Sequence, residues 1–343
     1  MKYLLLSIFA FTSLFAIDSN TLRQKALDRG MSSIPTDFTI LKSQVDDINN
    51  PMIIAKIKLG EKLFFDKNLS LDGTIACSTC HDIKKGGEDG KPTAIGYKEQ
   101  KNPSHLNSPT VLNSAYSKHF FWDGRASSLR EQAKGPIQAH FEMASTPELI
   151  EQRTNMSFDD VTKAIAVYEK TLVTRGSFDD FLDGDNKALN AKEQRGLNLF
   201  IDMGCKGCHF GPAIGGQRIQ KFPLRDYNSI LNLTTTFNEK TKGRNIKDIS
   251  LSFKMYKPYP FENIGGFLGK NGERKFRVPI LRNISKTGPY FHNGVIKTLR
   301  KAIEIMSKNQ LGIVLEEDQL DALEAFLKSL DGEIVEYKLK ESK

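Results

Sequence analysis

The chain has 343 residues, a formal charge of +8, 39% hydrophobic and 26% charged residues, the proportions of an ordinary soluble globular protein and not of a disordered or fibrous one. That length is enough for two domains with cores of their own. Lys and Arg are scattered and not gathered on one element, so the basic balance reads as a solvated surface and argues against nucleic-acid binding.

The chain opens with MKYLLLSIFAFTSLFA, one Lys followed by an apolar run that ends in small residues. This is the pattern of a secretory signal, residues 1–16, with cleavage after Ala16; it is too short and poorly flanked for a membrane helix. No later stretch reaches spanning length, so the mature chain is expected to be soluble and exported, most simply to a bacterial periplasm. LGEKLFFD, with Gly60, Leu63, Phe64 and Asp66, reads as an amphipathic helix that delivers the chain to ACSTCH.

ACSTCH holds Cys77, Cys80 and His81. GCKGCH, further on, holds Cys205, Cys208 and His209, and these four are all the cysteines in the chain. Structural zinc wants paired C-x-x-C knuckles about 15–20 residues apart, and these are separated by more than a hundred positions. A thioredoxin-like pair wants a βαβ context, which the flanks lack. Neither explains the His that follows each pair. Attachment of c-type haem uses every atom of the motif: two thiols bond the vinyl groups, and the adjacent His is held under the iron. Two covalent haem c groups are therefore expected.

Other features also occur twice. After the first motif, SPTVLNSAY (Pro109, Leu112, Asn113) pairs with VPILRNISK (Pro279, Leu281, Asn283). FFWDGRASSLRE pairs with YFHNGVIKTLRK, aligning Phe121 with Phe291, Trp122 with His292 and Gly124 with Gly294. RGLNLFID repeats LGEKLFFD, aligning Gly196 with Gly60. Val161, Ile165, Tyr168 and Leu172 form a helical stripe after the N-cap candidate Ser157, and Leu320, Leu323, Leu327 and Leu330 form another that stops at Gly332. The chain thus reads as two copies of one module, mainly α with long wrapping loops, the seam lying near TRGSFDDFLDGDNKALN.

The copies differ after their third shared stretch. The second runs through KAIEIM to Met306, a soft thioether suited to a c-type iron or else a core residue. The first offers Gln138, His140, Glu142 and Met143 in EQAKGPIQAHFEM, where Glu142 is either a pocket carboxylate or a surface one.

GEKLFFD, CSTCH, SPTVLN, FFWDGRASSLREQAKGPIQ, GCKGCH, FRVPILRN and PYFHNG, with the Met that follows, resemble the bacterial di-haem cytochrome c peroxidases, a family that also holds oxidases maturing a tryptophan-derived cofactor. The resemblance covers about residues 50–335. It implies two cytochrome c-like domains, 17–175 with a peroxidatic low-potential haem on His81, and 176–343 with a high-potential electron-entry haem on His209 and Met306. It implies that Trp122 bridges the haems, that Glu142 is the distal acid–base residue with Gln138 and Phe121 beside it, and that Asn107, Thr287 and Pro289 hold calcium. It implies hydrogen peroxide as substrate and a small periplasmic donor, a c-type cytochrome or cupredoxin, and leaves a homodimer open. One position departs: where relatives carry a distal His in S-I-G-H, this chain reads TAIGY, so Tyr97 stands there and His105 follows eight residues on. The first iron is then open, or held by a displaceable His105, or by Tyr97. Two rival functions stay in play: a di-haem electron carrier, and an oxidase of a partner protein. The partner-directed relatives use Tyr where this chain has Met306.

Overall fold

The computed structural model describes residues 18–224 and 263–339; the signal segment read at 1–16 lies outside the described residues. Eleven α-helices of four residues or more account for most of the regular structure among them, with two small two-stranded antiparallel sheets. No described helix is long and apolar enough to cross a membrane.

The first module is built from α3 (Ile54–Phe64) and α7 (Phe158–Glu169), which cross at close range. Gly60 sets that crossing: a Cβ there would stand 1.9 Å from the Ala164 carbonyl oxygen and 2.8 Å from the Tyr168 Cβ. The second module repeats the device with α9 (Ala191–Asp202) and α11 (Glu317–Ser329), where a Cβ on Gly196 would stand 2.0 Å from the Ala322 oxygen and 2.7 Å from the Phe326 Cβ. Only glycine lets two helix backbones approach so closely. The expected N-cap Ser157 accepts the Asp160 N–H, and α11 ends at Ser329, slightly before the glycine read as its stop. Between the members of each crossing pair the chain forms a shorter helix, α5 (Leu129–Gln138) in the first module and α10 (Leu299–Met306) in the second.

The seam is more structured than its Gly/Asp/Asn composition suggests, because it carries β1 (Thr174–Arg175) and α8 (Ser177–Leu182). The two repeat asparagines meet there. Asn113 and Asn283 are both left-handed, at φ 60° and 61°, and both side-chain amides donate to the Thr174 hydroxyl, at 2.9 and 2.8 Å. β1 pairs with β4 (Glu333–Ile334).

The terminal arms cross this seam in opposite directions. α1 (Ser19–Leu27) buries Leu22 and Ala26 in the core of the second module, while Ile334, Val335, Tyr337 and Leu339 pack against the core of the first. Tyr337 closes the arm by donating from its hydroxyl to the Pro35 carbonyl at 2.7 Å. Replacing Gly196 with Ala should cost about 3 kcal/mol of stability, because the helices must part to admit a methyl group; a urea melt of the purified protein measures it, and a wild-type midpoint would contradict the crossing.

Candidate active site

Each C-x-x-C-H segment follows a crossing helix. Cys77–Cys80 forms one helical turn, and Cys205–Gly207 a tight 3-10 turn opened by Gly204 at φ 99°. None of the four cysteines is paired in a disulfide; they are half-buried, and burial raises the pKa of each thiol, to about 12 at Cys80 and about 11 at Cys205. A thioredoxin-type nucleophile needs the opposite shift, so the structure separates these pairs from that chemistry.

Both histidines are set up in the same way. His81 Nδ1 lies 3.1 Å from the Gly87 carbonyl, and His209 Nδ1 lies 3.3 Å from the Ile214 carbonyl. A carbonyl only accepts, so Nδ1 carries the proton and Nε2 keeps its lone pair for a metal. Desolvation pushes His209 down to about 4 and lowers His81 as well, which keeps both rings neutral, as a ligand must be.

In the second module Cys205, Cys208, His209 and Met306 face one cavity, walled by apolar side chains such as Phe200 and Leu323. Two thiols, a neutral imidazole and a thioether around an apolar slot form a donor set that fits c-type haem. Trp122 reaches this wall from the first module. It is buried, and its indole N–H donates to the Asn107 carbonyl at 2.7 Å; its ring meets His292 edge-on at 6.3 Å. The preceding residue, Phe121, sits at φ 62°, matched by Phe291 at φ 69°. This left-handed turn is costly for an aromatic residue, and it occurs at the same point in both copies.

Around the first module, Glu142 follows the end of α5. Burial raises its pKa, opposed by the Arg125 charge and the Asn102 amide. The Tyr97 N–H donates to the Glu142 carbonyl at 2.7 Å, so the loop carrying Tyr97 is fastened to the acidic residue. Tyr97 packs against the first core, whereas the His105 carbonyl accepts from Asn263, across the modules, at 3.4 Å. Phe121 packs against Gly135, where a Cβ would lie 2.8 Å from the ring, and the Arg125 guanidinium covers that ring at 3.6 Å. Gln138 is exposed and bonds back to the Lys134 carbonyl at 3.0 Å, so in this conformation it turns away from the others. Sequence reasoning passed over Arg125 and Asn102, since only the folded loops bring them to Glu142.

Asn107 leaves its buried Oδ1 without a partner, and its Nδ2 lies 2.5 Å from the Pro289 carbonyl. Thr287 and Pro289 line the same cavity. Among the described residues no cluster of three His, Cys, Asp or Glu could hold a metal, so a cation at this point would rest on neutral oxygens, which calcium accepts.

A family model described as "Di-haem cytochrome c peroxidase" matches residues 54–187. The chain is 39% identical to the cytochrome c551 peroxidase of Pseudomonas aeruginosa, over 89% of this chain and 86% of that one. It belongs to the di-haem cytochrome c peroxidase family. A peroxidase of the same name from Nitrosomonas europaea is also 39% identical, over 82% of this chain and 81% of its own, and the methylamine utilization protein MauG of Methylophilus methylotrophus is 29% identical over 83% and 85%. Among solved structures, a MauG-like protein associated with microbial copper homeostasis superposes with a TM-score of 0.64 at 24% identity, covering 89% of this chain and 93% of that one. The diheme peroxidase BthA of Burkholderia thailandensis gives 0.61 at 18% identity, covering 83% and 88%. These last two establish the shared fold, and the peroxidases at 39% identity make this chain an enzyme of that class. Changing Cys205 and Cys208 together to Ala should lower covalent haem from two per chain to one, read by pyridine haemochrome assay; two haems in that variant would refute the attachment.

Proposed function

We propose that this peroxidase works in a periplasm, reducing hydrogen peroxide to water at the N-terminal module (17–175). Its two electrons come one at a time from a small c-type cytochrome or cupredoxin and enter through the C-terminal module (176–343). The two bound haems would supply the redox chemistry, a low-potential centre on His81 and a high-potential one on His209 and Met306.

The observation that carries this reading is Glu142, a half-buried carboxyl whose pKa is raised by desolvation. Splitting peroxide requires a proton moved from one oxygen to the other. Glu142 accepts it and returns it within one turnover, and a pKa above the usual carboxylate range suits a group that must do both. Arg125, stacked on Phe121, restrains that rise and favours the charged form that accepts first. The Gly87 carbonyl fixes the His81 ring. Trp122, pinned through its indole N–H, stands where an electron passing between modules would cross. Asn107, with the Thr287 and Pro289 carbonyls, would hold a calcium that stiffens this junction, a role that suits the bare Asn107 oxygen. Met306 supports a peroxidase over a partner-directed oxidase, since a thioether raises the potential of the iron it binds.

Glu142→Gln should lower kcat by roughly 10²–10⁴ with haem content unchanged. Because the Glu142 pKa is raised, wild-type activity should fall as pH drops through a value above the usual carboxylate one, and that acid limb should vanish in the variant. A variant as fast as wild type removes the acid–base role. With Tyr97 in place of the distal His, the fully ferric protein should consume peroxide without prior reduction; stopped-flow mixing that finds turnover only after half-reduction would overturn the open-iron reading.

A further inference from the structure

Arg277 ends β3 (Lys275–Arg277), which pairs with β2 (Ile219–Lys221). It is 4% exposed, and its Nε is buried without a hydrogen-bond partner among the described residues. No described carboxylate forms an ion pair with it, and desolvation depresses its pKa to about 10. It lines the cavity shared by Cys205, Cys208, His209 and Met306, and none of the described residues lining that cavity is an Asp, a Glu or a Lys. Arg277 is thus the one formal charge among them, on the wall of an otherwise neutral slot. An isolated buried cation is among the most unfavourable features a fold can carry, and it persists where a counter-ion completes it.

We propose that Arg277 is the anion-binding residue of the C-terminal cavity and takes a propionate carboxylate of the haem held there. This rests on the two-haem reading above. A porphyrin carries its propionates on the edge away from the thioether-linked vinyl groups, so their partner must come from outside the C-x-x-C-H segment, and β3 supplies it. The guanidinium fork matches a carboxylate in two parallel N–H···O bonds. The Arg277 backbone N–H also donates to the Trp122 carbonyl at 2.7 Å. The same residue therefore ties the bound carboxylate to the peptide of the side chain proposed to carry electrons between modules.

The test compares the two-haem wild type with Arg277→Gln and Arg277→Lys by spectroelectrochemical titration and by the propionate-bending band in resonance Raman spectra. Loss of the positive charge leaves the carboxylate uncompensated and favours ferric iron. R277Q should therefore lower the midpoint potential of the C-terminal haem alone and shift its propionate band. R277K should hold the potential nearer to wild type yet still shift the band, because it lacks the fork. An unchanged potential and band in R277Q, or equal shifts at both haems, overturns the proposal. If R277Q fails to load haem, R277K decides through the band alone, and an unmoved band overturns the proposal. A wild type with fewer than two haems overturns instead the two-haem reading beneath it.

Discussion

The ion pair between Asp179 and Arg282 holds the rest of the molecule in register. Both side chains are 1% exposed, and the guanidinium meets the two carboxylate oxygens at 2.7 and 2.8 Å. Asp179 also accepts from the Ile34 and Gly176 backbones, while Arg282 donates to the Pro212 and Ser32 carbonyls. A buried pair repays its desolvation only when its lone pairs and protons are used, and here the partners come from the N-terminal arm, the seam, α8, the loop after His209 and the repeat leading to Asn283. Arg282 immediately precedes Asn283, which meets Asn113 on the Thr174 hydroxyl. One polar knot therefore fixes how the two modules face each other.

On that common frame the modules share their backbone geometry and their C-x-x-C-H segments and differ in a few side chains. The glycine crossings, the left-handed asparagines, the left-handed Phe121 and Phe291, and the bridges Phe120–Ala126 and Tyr290–Ile296 occur in both. Particular side chains diverge between the copies: Trp122 stands against His292, and beyond the shared stretch Glu142 stands in one copy and Met306 in the other. Duplication supplies one backbone twice, and a few substitutions distinguish the copies.

This division explains what could be read from the sequence. Asn113 and Asn283 are dictated by local backbone geometry, and Gly60 and Gly196 by the helix crossing that each module repeats, so all four stand out as letters repeated along the chain. The haem motifs are legible for the same reason, their spacing being set by covalent chemistry. The crossed terminal arms were not legible, because nothing in Leu22 or Tyr337 states which module will bury it. Nor was the surrounding of Glu142: Arg125 and Asn102 come from other loops, and Asn102 lies between Lys98 and His105, which carry positive φ without a glycine to announce them. The isolation of Arg277 is invisible too, since FRVPILRN gives no hint that no described carboxylate will reach it.

Burial raises acids and lowers bases in both modules, Asp331 and His81 included, but the two modules bury different sets of residues. In the first module it raises carboxyls: Glu88 to about 7, Glu169 to about 8, with Asp89 and Glu142 also moved upward. These groups keep protons at pH values where surface acids have lost them. In the second module burial lowers bases, His209 and His292 both to about 4, and the described residues of the cavity they line include no carboxyl. The carboxyls that retain protons lie in the first module, while the C-terminal cavity is lined by groups that stay fixed in charge across the physiological range. Peroxide reduction needs protons where the oxygen–oxygen bond breaks and none where single electrons enter. On the assignment proposed above, the same desolvation, applied to different residue types in two copies of one fold, would meet the two requirements separately.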